Sequence, residues 1–102
     1  MSAIAMLANA TTTQDGPAIP YAQSLATFQA TGSASSGSGS ATVEIKVSND
    51  GVVWLLLGTI SLTLGTTATS DGFASDAPWA MARADLTSIS GTGATVTVTM
   101  GV

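Results

Sequence analysis

The sequence predicts an all-β fold, an antiparallel β-sandwich of jelly-roll type with an N-terminal extended arm. Three observations lead there. Apolar and polar residues alternate with a period of two in several segments, while no segment keeps the 3.6-residue period of a helix. β-Branched residues recur along the whole chain. Short apolar runs are separated by turns rich in Gly, Ser and Asp, the spacing of small antiparallel sandwiches. A chain of 102 residues has material for one such core and not for two.

Taken in order, residues 1–24 read as the arm. Ile4, Met6 and Leu7 offer a short apolar strand, while Gly16, Pro17 and Pro20 keep the segment out of a central sheet position. Residues 25–102 form the sandwich domain. Its first strand is LATFQAT, residues 25–31, and the following GSASSGSGS, residues 32–40, has the composition of a flexible Gly/Ser loop or a turn at the sandwich edge. Residues 41–58 then make a hairpin. Val43, Ile45 and Val47 take one face and Thr42, Glu44, Lys46 and Ser48 the other; Asn49, Asp50 and Gly51 make a tight turn, and an apolar run over residues 54–57 returns.

Ile60, Leu62 and Leu64 repeat the same period as a third strand. Residues 65–78 read as a connection, with Asp71-Gly72 as its turn and Phe73 as its one large anchor. Residues 79–89 form a long strand with Ala80, Ala82, Ala84 and Leu86 on one face and Met81, Arg83, Asp85 and Thr87 on the other. The alanine face is shallow, so a second sheet or another subunit can approach it closely. Gly91-Thr92-Gly93 turns into a closing strand in which Ala94, Val96, Val98 and Met100 alternate with threonines. A strand so regular is an edge hazard unless it is paired within the fold or in an oligomer.

Charged residues are 8% of the chain against a usual share of about 25%. A surface so poor in charge suits a protein covered in an assembly. The net charge of −4 sets Asp15, Glu44, Asp50, Asp71, Asp76 and Asp85 against Lys46 and Arg83 alone, and two cations make no stripe for a phosphate backbone, so nucleic acid is excluded as a partner. No stretch reaches the roughly 18 apolar residues of a membrane span, and the start has no basic signal region, which points to synthesis in the cytoplasm.

Chemistry has little to work with. Cysteine and histidine are both absent, which removes the thiolate nucleophile, the usual general base and the commonest zinc ligands. Asp71 and Asp76 could form a carboxylate pair, and Asn49, Asp50, Asp71 and Asp76 could offer oxygens to calcium, but all four read better as turn residues bonded to their own backbone. Trp54 and Trp79 could stack on a sugar, yet few other aromatics are present to fill a core. Lys46 reads as a solvated strand residue, and Arg83 and Asp85 as a pair on one face. The expectation is a protein that is not an enzyme, with no catalytic residue, cofactor or metal.

The block VEIKVSNDGVVWLLLGT, residues 43–59, resembles the SxDGxxWxxL hairpin of discoidin-like, galactose-binding-type jelly rolls. Residues 41–100 more closely resemble small virion proteins of tailed bacteriophages, through this hairpin, DGFASDAPW at 71–79, the Arg-bearing strand and SISGTGATVTVTM at 88–100. The chain departs from that pattern at Ala80, Ala82 and Ala84, where larger apolar residues are expected. The resemblance implies a capsid decoration or cement protein on the outside of the shell, with the major capsid protein as partner and a homo-oligomer, dimer or trimer, as the unit. Ile4, Met6 and Leu7 of the arm, with Val98 and Met100 at the strand edge, are the expected partner contacts, and removing residues 1–12 is expected to abolish binding without unfolding the domain. The alternatives are a glycan-binding module on a virion surface and a tail or head-tail junction protein.

Overall fold

The computed structural model describes residues 3–20, 25–76 and 79–101. Residues 1–2, 21–24, 77–78 and 102, which belong to the expected arm, the 65–78 connection and the chain end, lie outside the described residues. Nine strands run β1 (Ala3–Ala10), β2 (Gln14–Asp15), β3 (Ile19–Pro20), β4 (Ala26–Ser33), β5 (Ser36–Ser48), β6 (Leu55–Leu64), β7 (Thr69–Ser75), β8 (Met81–Thr92) and β9 (Thr95–Gly101). They form two antiparallel sheets packed together as a sandwich. The first has the order β1-β9-β4-β7, and the second the order β2-β8-β5-β6, with β3 also beside β8. Among these strands only β5 and β6 are both consecutive and hydrogen-bonded neighbours; every other link carries the chain to a different partner.

The alternation read in the sequence becomes the core. Val43, Ile45 and Val47 of β5, Ile60, Leu62 and Leu64 of β6, Ala82, Ala84 and Leu86 of β8, and Val96, Val98 and Met100 of β9 are all buried. At roughly 2 kcal/mol for each large side chain, this burial is the main term holding the sheets together. Ala82 and Ala84, the small residues of β8, are completely buried in this core. Phe28 of β4 pairs with Phe73 of β7, ring centroids 5.4 Å apart. On the other side of Phe73 lies Gly58, where a Cβ would sit 2.6 Å from the ring, so glycine there lets the ring close the gap between β6 and β7.

Four expectations need correction. Half of the segment expected as an arm is strand: β1 pairs with β9 from Ala3↔Gly101 to Ala10↔Val96, and β2 and β3 pair with β8. Two register shifts let Met6 and Leu7, adjacent in sequence, both turn inward, and this breaks the period-two signal. Secondly, the Gly/Ser tract is not a flexible loop. Ser33 ends β4 and Ser36 starts β5, with Ala34 and Ser35 as the corner between sheets, fixed by amide hydrogen bonds to the carbonyls of Gly65 and Thr92. Thirdly, residues 54–57 and the expected third strand are one strand, β6, kept continuous by a bulge opposite Ile45 and Lys46. Finally, residues 69–75 are not a connection but β7, in unbroken register with β4. The closing strand β9 is paired on both sides, by β1 and β4, so its hazard is removed within the fold.

Candidate functional site

The residues expected to meet a partner are placed mostly inside. Met6, Leu7, Val98 and Met100 are core side chains, and Ile4, opposite Met100 in the ladder, is half-buried. The physical reason is the pairing of β1 with β9: it turns both segments into core strands and leaves four of the five side chains unavailable at the surface. Deleting residues 1–12 would therefore remove a core strand, and unfolding is the expected result.

Large apolar side chains are exposed elsewhere. Val52 (80%), Val53 (59%), Leu55 (50%) and Leu56 (57%) cluster at the turn end of the β5–β6 hairpin, with Trp54 half-buried among them. Local chemistry fixes this tip. Gly51 takes a φ of 76°, the Asp50 carboxylate accepts the amides of Val52 (2.8 Å) and Val53 (2.9 Å) and the Ser48 hydroxyl (3.0 Å), and Ser48 Oγ accepts the Gly51 amide (2.9 Å). The Val52 and Val53 amides, with the Ser48 hydroxyl, hold the Asp50 carboxyl below its ordinary value of 3.8. Asn49 Oδ1 accepts the Ala80 amide, tying the tip to the start of β8. A braced turn thus presents apolar side chains to solvent. The signal was in the sequence: six residues, VVWLLL, cannot all face one core at period two.

A second feature lies on the outer face of the β5–β8 ladder. Asp85 is buried at 1% exposure, its Oδ2 3.1 Å from Lys46 Nζ and its Oδ1 3.1 Å from Arg83 Nε. These are ion pairs by distance without hydrogen-bond alignment, so attraction alone compensates the carboxylate. Lys46 also lies 3.8 Å from Glu44, and the Arg83 guanidinium sits 4.7 Å from the Trp54 ring centroid. Lys46, expected as solvated, is in fact half-buried against Asp85. Both cations of the chain are consumed in this cluster.

The remaining candidates take structural roles. Asp71 Oδ1 accepts the Gly72 amide, and Asp76 is exposed beyond the end of β7. No group of three or more His, Cys, Asp or Glu side chains placed to hold a metal occurs among the described residues. An open depression of about 360 Å³ crosses β4 and β7, lined by Thr27, Gln29, Ser70, Asp71 and Phe73 among others. Neither Trp54 nor Trp79 lines it. No helix among the described residues is long and apolar enough to cross a membrane. No family model, curated protein or solved structure matches the chain.

Proposed function

We propose that this chain is a non-enzymatic structural protein that joins a larger assembly by its β5–β6 hairpin tip, and that the assembly is a tailed-bacteriophage virion, where it serves as a decoration or cement protein on the outside of the shell. The observation that carries the docking role is the cluster of Val52, Val53, Leu55 and Leu56, each with half or more of its surface in water on a turn that Asp50 and Ser48 hold rigid. Covering such side chains on a partner returns about 1 kcal/mol each, and a rigid turn loses little entropy when it docks. The virion setting rests on the sequence resemblance, with an acidic, charge-poor surface in keeping with the outside of a DNA-filled shell. The major capsid protein is then the partner, and many weak contacts over the shell add up by avidity.

We also infer the jelly roll. Strand orders β1-β9-β4-β7 and β2-β8-β5-β6, with all links except β5–β6 crossing between the sheets or along their edge, are what two interleaved Greek keys produce.

Cosedimentation with capsids that lack the protein tests the function. Saturable binding at a fixed ratio to the major capsid subunit, lost when Val52→Asp and Val53→Asp are combined, is the expected result. Failure of the wild-type chain to sediment overturns the capsid assignment, and undiminished binding of the double variant overturns the tip. The glycan-binding reading gains little here, because the depression across β4 and β7 lies on the other sheet from the partly exposed Trp54.

A further inference from the structure

The sandwich has four sheet edges, and three of them are blunted. β1 carries two register shifts and a left-handed Asn9 (φ 50°) whose amide is drawn to Thr97 Oγ1. The β2–β3 edge consists of two 2-residue strands interrupted by Gly16 and Pro17 and closed by Pro20. β7 carries Asp71 in the middle of its 7 residues. These are the devices that stop an edge from recruiting another strand. β6 has only a single bulge of this kind among the described residues. Its 10 residues, LLLGTISLTL, hold neither a charge nor a proline, and its single irregularity lies at Leu57 towards the tip.

The direction of its backbone groups follows from its neighbours. The Ser40 amide points to β8, where it donates to Ser90 Oγ, and the Thr42 carbonyl points to β8, where it accepts from Thr87 Oγ1. Their cross-strand partners on β6 are Thr63 and Ser61, which must therefore aim their own amides and carbonyls away from β5. The Thr63 carbonyl confirms this by accepting the Thr69 hydroxyl at 3.0 Å. By alternation Thr59 points the same way. Thr59, Ser61 and Thr63 are all exposed, and among the described residues no strand pairs with β6 on that side.

We propose that β6 is a dimer edge whose partner is the β6 of a second copy, paired antiparallel about a two-fold axis at Ser61. That register sets Ser61 against Ser61 and Thr59 against Thr63 of the partner copy, so the outward amides of Ser61 and Thr63 meet outward carbonyls, while the Thr59 amide shares the Thr63 carbonyl of the partner copy with that copy's Thr69 hydroxyl, using its second lone pair. On the solvent face it brings hydroxyl side chains together, a favourable cross-strand combination with no like charges to repel. It also carries the partner's residues 65–67 alongside Leu55–Leu57, which covers part of the apolar run. The size is adequate: an edge about 34 Å long on a body 17 Å thick presents roughly 600 Å² per copy, or roughly 1,200 Å² for the pair, the lower bound of a specific interface. This inference stands apart from the capsid reading, since it concerns the protein free in solution.

Sedimentation velocity of the pure protein is the test. The expected species has twice the 10.0 kDa chain mass. Ser61→Pro removes two of the shared amide donors and Ser61→Lys sets two ammonium groups face to face; each is expected to weaken dimerisation by roughly tenfold or more while circular dichroism is unchanged. If the proline variant misfolds, the lysine variant decides. Because the chain has no cysteine, Ser61→Cys provides a register test: oxidation is expected to give a covalent dimer faster than for Ser36→Cys, an exposed position away from the axis. A wild-type monomer at its highest soluble concentration, a lysine variant of unaltered mass, or equal cross-linking of the two cysteine variants would each overturn the proposal.

Discussion

The outer faces of the two sheets meet water by opposite means. On the β4–β9 face, Thr27, Gln29 and Thr31 run beside Thr95, Thr97 and Thr99, a neutral carpet of hydroxyls and one amide. Its contacts are short and local, such as Thr31 Oγ1 to Ser70 Oγ at 2.7 Å. On the β5–β8 face, Glu44, Lys46, Arg83 and Asp85 concentrate charge, in a ladder that sets Lys46 against Arg83 and Glu44 against Asp85. Like charges are therefore directly opposite, and they are offset by the diagonal contact of Lys46 with Asp85 and by the along-strand contacts of Arg83 with Asp85 and of Lys46 with Glu44. The neutral face has many small, replaceable contributions, whereas the charged face depends on one buried carboxylate.

Substitutions should separate the two faces by size. The largest effect is expected from Asp85→Ala, which leaves Arg83 opposed to Lys46 without the shared carboxylate, with Glu44 at 3.8 Å from Lys46 as the acid that remains. A loss of about 2 kcal/mol in urea unfolding is expected, below the figure for a fully buried pair because both cations reach solvent. Replacing the group together, by Lys46→Met, Arg83→Met and Asp85→Leu, should recover most of that loss, and a triple variant as unstable as Asp85→Ala would show that the carboxylate matters for something other than charge balance. Next comes Trp54→Ala, which uncovers the Arg83 guanidinium and should cost about 1 kcal/mol, read as a lowered Tm. On the neutral face Thr31→Val should cost about 0.5 kcal/mol or less in the same assay, since an exposed hydroxyl pair is readily replaced by water.

The smallest effect is local and depends on pH. The Asp50 carboxyl is held below its ordinary value by amides that exist only in the folded turn, so its contribution is complete above the unfolded value of 3.8 and disappears as pH falls through the lower, folded one. An NMR titration should find its midpoint below 3.8, with the Val52 and Val53 amide shifts following the same curve. A midpoint at or above 3.8 would mean that the turn is not closed by this carboxylate.

What could be read from the sequence depended on whether one face of a segment was buried. β5, β8 and β9 each set one row of side chains against the opposite sheet, so their alternation appears directly in Val43-Ile45-Val47, Ala82-Ala84-Leu86 and Val96-Val98-Met100. β7 buries almost nothing besides Phe73, so TSDGFAS looked like a turn. β1 lost its period to its own bulges, and the Gly/Ser tract looked flexible because composition does not reveal a backbone that packs as closely as Gly39 does on Ser90. The candidate surface was missed for a related reason. Ile4, Met6 and Leu7 in a segment of loose composition, with Val98 and Met100 at a regular strand edge, read as the contacts, whereas the exposed apolar surface lies in a run too long for the strand that carries it.

The pairing of β1 with β9 has a consequence for biosynthesis. Ala3 meets Gly101, so β1, made before the other eight strands of the sandwich, finds its place only after β9, the last of them. Until β9 emerges, Met6 and Leu7 have no ladder beside them and the first sheet lacks the strand that joins β1 to β4. The β5–β6 hairpin, closed by neighbours in sequence, can form during synthesis, but completion of the sandwich waits for the last of its nine strands. Slow closure by a long-range pair is therefore built into the topology, and a circular permutant that joins β9 directly to β1 should refold faster than the natural order, as read by stopped-flow fluorescence.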